Sequence, residues 1–280
     1  MFAGAVRLSP SHSSMLDLEF AELSDAGRVR DRNEDYSGYA LPSSETEGRT
    51  QGWLFVLADG VGGAEKGEVA SRTAVETLIA GFRAAPRGEA HTVLMPRLVQ
   101  SANTRIYEMG RAASPGGSRM ATTIVACAFR YDRVVVAHAG DSRCYLIRHG
   151  IASQITRDHT VVAEQVRLGL LSAREAAEAS TRHLLSRSLG NDLFVNVEMS
   201  DRQIQADDVI LLCCDGLHGL VEGAEMGEIV RWNPDLTTAA GKLVALANAR
   251  GGSDNITIQL IRVRGVERMG MYRGRPYKLH

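Results

Sequence analysis

Two apolar runs, Ala121–Phe129 and Val134–Ala139, are separated by hardly more than Tyr131-Asp132-Arg133. So short a connection joins antiparallel strands, because a parallel pair needs a crossover of about a dozen residues or more. Other runs share this character: Leu16–Leu23, Trp53–Ala58, Cys144–Ile147, Val209–Cys214 and Ile256–Val263. Most are rich in valine, isoleucine and leucine and bounded by glycine or aspartate, the marks of strand and turn. Helical patterns lie between them. Over Val69–Phe82, Val69, Thr73, Glu76 and Ala80 share one face, and Val75, Leu78, Ile79 and Phe82 another. Leu94–Tyr107 and Leu236–Ala249 read in the same way. Grouped strands and grouped helices, with short turns and no internal repeat, predict one compact α+β domain of antiparallel sheets covered by helices on their outer faces.

The 280 residues are enough to bury a large core. Hydrophobic residues make up 44% and charged residues 23%, a balance that excludes general disorder. With 32 basic and 33 acidic residues the formal charge is −1, so neither nucleic acid nor a membrane surface is expected as a partner. No run approaches the roughly 18 apolar residues of a membrane span. Cys127, Cys144, Cys213 and Cys214 sit in apolar runs without a C-x-x-C pair and read as small buried hydrophobes. Reduced thiols fit a cytoplasmic protein. Residues 1–15, short and serine-rich, lack the apolar block of a signal peptide and are expected to be a flexible tail. Residues 265–280, polar and mildly basic, read as a loose end, which leaves 16–264 as the domain. Within it, 158–187 is charged and weakly periodic. It fits a surface flap beside a site or an ordinary helical insertion.

Function must then come from local clusters, and acidic residues supply them. Acidic patches recur at strand ends: Arg30-Asp31-Arg32-Asn33-Glu34-Asp35, Leu57-Ala58-Asp59-Gly60-Val61-Gly62-Gly63, Cys213-Cys214-Asp215-Gly216-Leu217 and Ser253-Asp254-Asn255. Gly140-Asp141-Ser142-Arg143 is a further candidate. A single Asp-Gly is usually a turn. Two of them after strongly apolar strands, with more acids nearby, suggest more. Converging carboxylates repel and take up protons unless a cation offsets them. Hard divalent ions of the magnesium or manganese type favour such oxygen ligands. A glycine after the aspartate lets backbones approach closely and frees a carbonyl to ligate.

At these residues the chain resembles the PP2C-type (PPM) metal-dependent serine/threonine phosphatases, especially their bacterial branch. The resemblance runs through Gly27 to Asp35, Ala58 to Gly63, Ala139 to Arg143, Asp158-His159-Thr160, Arg187-Ser188-Leu189-Gly190, Asp215-Gly216-Leu217 and Asp254-Asn255-Ile256. These stretches keep the family's order and span roughly residues 20 to 262. The resemblance implies an αββα four-layer sandwich, two antiparallel sheets with helix pairs on the outer faces and metals in a cleft at one end. It implies that Asp59 bridges two Mn2+ or Mg2+ ions, that Glu34 and the Gly60 carbonyl complete one site, and that Asp215 and Asp254 complete the other. Asp35 would orient the attacking water, Asn255 would steady Asp254, and Arg30 would grip the substrate phosphate, where a planar guanidinium suits bidentate contact. The implied reaction is hydrolysis of phosphoserine and phosphothreonine on proteins by a metal-activated water. Phosphorylated proteins, a serine/threonine kinase and its substrates among them, would be the partners of a monomeric enzyme.

The chain also departs from the family pattern. Val61 stands where some members carry a histidine that protonates the leaving group. Gly219 stands where many carry an aspartate that, with the counterpart of Asp141, holds a third ion. His218, next to it, either compensates, touches substrate, or is structural. Other chemistries find little support. Gly62 to Glu68 begins like a nucleotide P-loop but has Glu68 where lysine is required. There is no G-x-S-x-G elbow, and His91, His138, His149 and His159 have no zinc-protease spacing. His138, in a strand, reads as packed or hydrogen-bonded. Competing functions are a phosphatase-like scaffold that has lost catalysis, which should have lost these acids, and a hydrolase of small phosphate esters.

Overall fold

A computed structural model of the chain describes residues 4–6, 16–61, 66–113, 120–267, 269–272 and 275–278. Most of the expected tail 1–15 lies outside these residues, as do Gly62 and Gly63 of the glycine-rich turn and parts of 265–280. The chain begins with strands β1 (Gly4–Val6), β2 (Asp17–Asp25) and β3 (Tyr36–Ala40), helix α1 (Glu45–Thr50) and strand β4 (Trp53–Ala58). The long helices α2 (Gly67–Ala84) and α3 (His91–Ala112) follow. Next come β5 (Ile124–Arg130), β6 (Arg133–Ala139), β7 (Arg143–Arg148) and β8 (Ile151–Gln154), and the short helices α4 (Val161–Arg167) and α5 (Ala173–Glu178). The last third holds β9 (Glu198–Gln203), β10 (Val209–Cys213), α6 (Asp215–His218), α7 (Gly223–Trp232), α8 (Leu236–Ala249) and β11 (Ile256–Gly265). A hairpin of β12 (Met269–Tyr272) and β13 (Arg275–Lys278) lies where the sequence suggested a loose end.

Among the described residues the strands form a six-stranded sheet in the order β1-β2-β11-β10-β7-β8 and a five-stranded sheet in the order β3-β4-β5-β6-β9. Every pairing is antiparallel, the short β5–β6 turn included. The central strands β4 and β10 are apolar at every position because both of their faces are covered. In β4, Leu54, Val56 and Ala58 pack under helices α2 and α3, while Trp53, Phe55 and Leu57 point between the sheets. In β10, Val209, Leu211 and Cys213 pack under α7 and α8, while Ile210 and Leu212, with Cys214 just beyond the strand, meet the five-stranded sheet. Three apolar layers therefore separate four layers of structure, helix–sheet–sheet–helix, and the expected α+β sandwich holds. Of the two α2 faces, Val75, Leu78 and Phe82 go inward, and Val69 stays 40% exposed. All four cysteines are buried free thiols, with Cys127 and Cys144 Sγ atoms 3.7 Å apart across the sheet interface.

One end of this sandwich gathers the acids. Asp35 precedes β3 and Asp59 follows β4, and the pairing of Tyr36 with Ala58 brings them side by side. Asp215 follows β10 and Asp254 precedes β11, its antiparallel neighbour. Asp141 sits in the β6–β7 turn, at the end where Cys213 pairs with Arg143.

Candidate metal centre

Backbone contacts fix these loops before any side chain acts. The Asp59 N–H donates to Thr123 Oγ1 at 3.0 Å, and the Asp59 carbonyl accepts from the Thr122 hydroxyl at 2.7 Å and the Thr123 N–H at 2.8 Å. The Glu34 carbonyl accepts from the Gly60 N–H at 3.2 Å and the Ser71 hydroxyl at 2.6 Å. Both Asp-Gly turns need their glycine. A Cβ on Gly60 would lie 2.6 Å from the Gly67 backbone, and one on Gly216 would lie 1.9 Å from the Asn255 carbonyl oxygen. The close backbone approach anticipated from the sequence is thus present at each.

Asn255 does more than steady its neighbour. Its Oδ1 accepts from the Glu34 N–H at 2.9 Å, and its Nδ2 donates to the carbonyls of Ala26 at 3.0 Å and Arg32 at 2.9 Å. Only its backbone N–H reaches Asp254 Oδ1, at 2.9 Å. The side chain therefore holds the loop that carries Arg30, Glu34 and Asp35. Arg30 Nη2 meets Asp254 Oδ2 at 2.7 Å, and that bond pushes the guanidinium pKa up.

The carboxylates crowd one another. Burial pushes Asp59 well above the ordinary carboxylate range, and Asp35, Asp215, Asp141 and Asp254 add their repulsion. Burial also raises Glu34 and Asp215, the latter with Asp254 close by. Asp35 is pushed up to about 7, first by burial. The Thr257 hydroxyl beside it is engaged with Ser24, and the Cys214 thiol donates to the Asn255 carbonyl. Both Asp35 oxygens are buried without a partner in hydrogen-bonding geometry, and Thr257, Cys214 and Asp59 stand near enough to hold its pKa partly back. Such orphaned oxygens cost on the order of 1–3 kcal/mol unless something binds there. Asp35 and Asp59 oxygens lie with Cys214 Sγ within 4.8 Å of one another. A mainly oxygen-lined, anion-crowded floor fits a hard divalent cation.

Asp141 is 7% exposed and pushed up to about 7 by burial and then by Asp215. Its carbonyl accepts from His218 Nε2 at 3.0 Å. Burial takes His218 down to about 4, so it is a neutral donor to that turn. Of the three readings left open for His218, the structural one fits this bond. Arg143 grips Asp158 in a two-pronged pair of 2.8 and 2.6 Å, which ties the Asp141 turn to the start of the 158–187 segment. His138 is hydrogen-bonded, as expected, to the Arg157 carbonyl at 2.9 Å, and it stacks on His159 at 4.6 Å.

A cleft of about 1220 Å³ opens beside the acids, lined by Asp141, Asp215 and Asp254 together with Arg182, His183 and Arg187. His183 Nδ1 stands 3.8 Å from Asp215 Oδ2. Neither His183 nor the Thr122-Thr123 clamp was singled out in the sequence. Their only signal was a neighbouring motif.

A helix–sheet–sheet–helix sandwich with a cation-seeking acid cluster at one end defines a metal-dependent hydrolase. The family model for protein phosphatase 2C matches residues 22–256. A serine/threonine phosphatase of Listeria innocua is 34% identical over 254 residues, covering 90% of this chain and 96% of that protein. The protein phosphatase PhpP of Streptococcus pneumoniae is 30% identical over 246 residues, covering 87% and 97%. Among solved structures, the S. agalactiae serine/threonine phosphatase superposes with a TM-score of 0.81 at 30% identity, over 89% of this chain and 100% of that one. The catalytic domain of the phosphatase PstP, solved in complex with 2 manganese ions, gives 0.76 at 32% identity, over 89% and 100%. The chain belongs to the protein phosphatase 2C family. It is a metal-dependent phosphatase of the serine/threonine type.

Proposed function

We propose that this chain removes phosphate from phosphoserine and phosphothreonine on proteins. Glu34, Asp59 and the Gly60 carbonyl would hold one manganese or magnesium ion, and Asp59, Asp215 and Asp254 a second. Asp141 would face a third. When bound, such ions acidify a water and offset the charge on the phosphoryl oxygens. The chain's own groups do the rest. Arg30 receives the phosphoryl oxygens, Asp35 orients the attacking water through its unpartnered carboxylate, and Asn255 holds the loop that carries both. Residues 16–264 form the catalytic unit, with 158–187 as its flap. The substrates include a serine/threonine kinase and its targets, and the enzyme acts as a cytoplasmic monomer, a setting that suits its four free thiols.

The observation that supports this most is the pair of orphaned, buried Asp35 oxygens beside Asp59, around which Asp215, Asp141 and Asp254 also gather. The test is turnover of a phosphothreonine peptide by the full chain. It should require manganese or magnesium, stop with chelator, and exceed turnover of free phosphorylated metabolites. Turnover that survives chelation, or a preference for the metabolites, would contradict the proposal.

A further inference from the structure

Cleaving a phosphoserine or phosphothreonine ester leaves charge on the side-chain Oγ, and an alkoxide is a poor leaving group. A hydrogen-bond donor aimed at that oxygen speeds the step. Val61, directly after Asp59-Gly60, cannot donate from its side chain. Around the cleft, most candidate donors are already committed. Arg30 pairs with Asp254, Arg143 with Asp158, and His218 Nε2 with the Asp141 carbonyl. His159 Nδ1 accepts from the Gly140 N–H at 3.2 Å, and its Nε2 faces Glu198 and Arg187 at 3.3 and 3.2 Å.

His183 is placed differently. Its Nε2 lies 2.9 Å from Arg182 Nε, which can only donate. The neutral ring therefore carries its proton on Nδ1, and Nδ1 is the atom that faces the acid cluster. Asp215 Oδ2, at 3.8 Å, is beyond hydrogen-bond length, and the imidazole is 63% exposed on the cleft wall. The main chain around it is held. The Leu184 N–H donates to the Thr181 carbonyl at 2.9 Å, and the Leu184 carbonyl accepts from the Val161 N–H at 2.8 Å. Leu185 bridges to Thr160, which closes the segment at its base.

We propose that His183 donates a hydrogen bond from Nδ1 to the leaving-group oxygen of the substrate, with Arg182 as the positioning residue that fixes the tautomer. This rests on the phosphatase reading above. The water oxygen bonds to phosphorus as the phosphorus–Oγ bond breaks. One proton of the water ends on Oγ, giving the free alcohol and hydrogen phosphate. His183 keeps its proton throughout and stabilises the charge growing on Oγ. Segment 158–187 thereby contributes to the chemistry as well as to the wall of the cleft.

The test uses the full manganese-loaded chain and a series of aryl phosphates. The series runs from nitrophenyl phosphate, with a good leaving group, to phenyl phosphate, whose phenol resembles tyrosine with a pKa of about 10. His183→Ala should leave kcat/KM on nitrophenyl phosphate within about twofold, yet lower it about tenfold on phenyl phosphate. It should lower kcat on a phosphothreonine peptide on the order of 10²-fold. His183→Asn, which returns an N–H near the Nδ1 position, should recover most of the loss. Independently of activity, imidazole nitrogen shifts of the metal-free protein should show His183 protonated on Nδ1, and Arg182→Ala should spread the proton over both nitrogens. An equal loss across the series, no loss, or a proton on Nε2 in the unaltered protein would overturn the assignment. Absence of metal-dependent turnover in the unaltered protein would overturn the phosphatase reading itself, a different result.

Discussion

Arg30 and Asp254 form their ion pair with the guanidinium 43% exposed, so the pair itself adds little stability. Its interest is chemical. Asp254 is a proposed cation ligand, and a cation there would release Arg30 to meet a phosphoryl group. Arg30→Ala should raise KM for an aryl phosphate about tenfold with kcat changed by less than about threefold, in keeping with one charged hydrogen bond. Steady-state kinetics decide this, and an unchanged KM would remove the role. Asp59→Asn should lower kcat by about 10³-fold or more. It should also raise the melting temperature of the metal-free protein, because it removes the most crowded charge. Asp59 and Asp215 were legible because each follows an apolar strand, and Asp254 because it precedes one, a local pattern. The Arg30–Asp254 pair and the Asn255 bonds to Ala26 and Arg32 were not, because they join stretches more than 200 residues apart. No local pattern encodes which loops will meet.

Strands β4, β5 and β10 could be read from sequence because burial on both faces leaves almost no polar position along them, and β11 because its isoleucines, leucine and valine are all buried. Strands β3 (YSGYA) and β9 (EMSDRQ) carry no such run, since each is an edge strand with its residues mostly half-buried. Residues 121–123 were read as strand, but the strand begins at Ile124, and Thr122 and Thr123 serve the Asp59 turn instead. The turn between β10 and α6 tolerates no side chain at its second residue. Gly216→Ala should cost about 2–4 kcal/mol in urea unfolding, because the Asn255 carbonyl must move and the Asp254–Asn255 loop with it. Gly241→Ala, in α8 with open space at its Cβ, should instead stabilise by about 1 kcal/mol. Equal effects at the two glycines would contradict the close approach at Gly216.

The order of strands across the two sheets follows from how three apolar layers stack, and single runs of sequence carry no record of it. What the stacking achieves is the gathering of acids from five separate loops at one end, at a cost borne by the metal-free protein. Asp35 and Asp141 hold their protons up to about 7 when folded, against an ordinary 3.8. Between those values the folded chain binds more protons than the unfolded one, so stability is full at low pH and falls as pH rises through about 7. The melting temperature of chelated protein should drop on the order of 5 °C between pH 5 and pH 8, and manganese should restore more at pH 8 than at pH 5. A flat profile would mean that the acids are not crowded. Anomalous diffraction from crystals of the full chain soaked in manganese tests the cluster itself. Two peaks about 3.5–4 Å apart, both in contact with Asp59 and sharing Glu34, Asp215 and Asp254 between them, are expected. Peaks elsewhere, or none, would contradict the account.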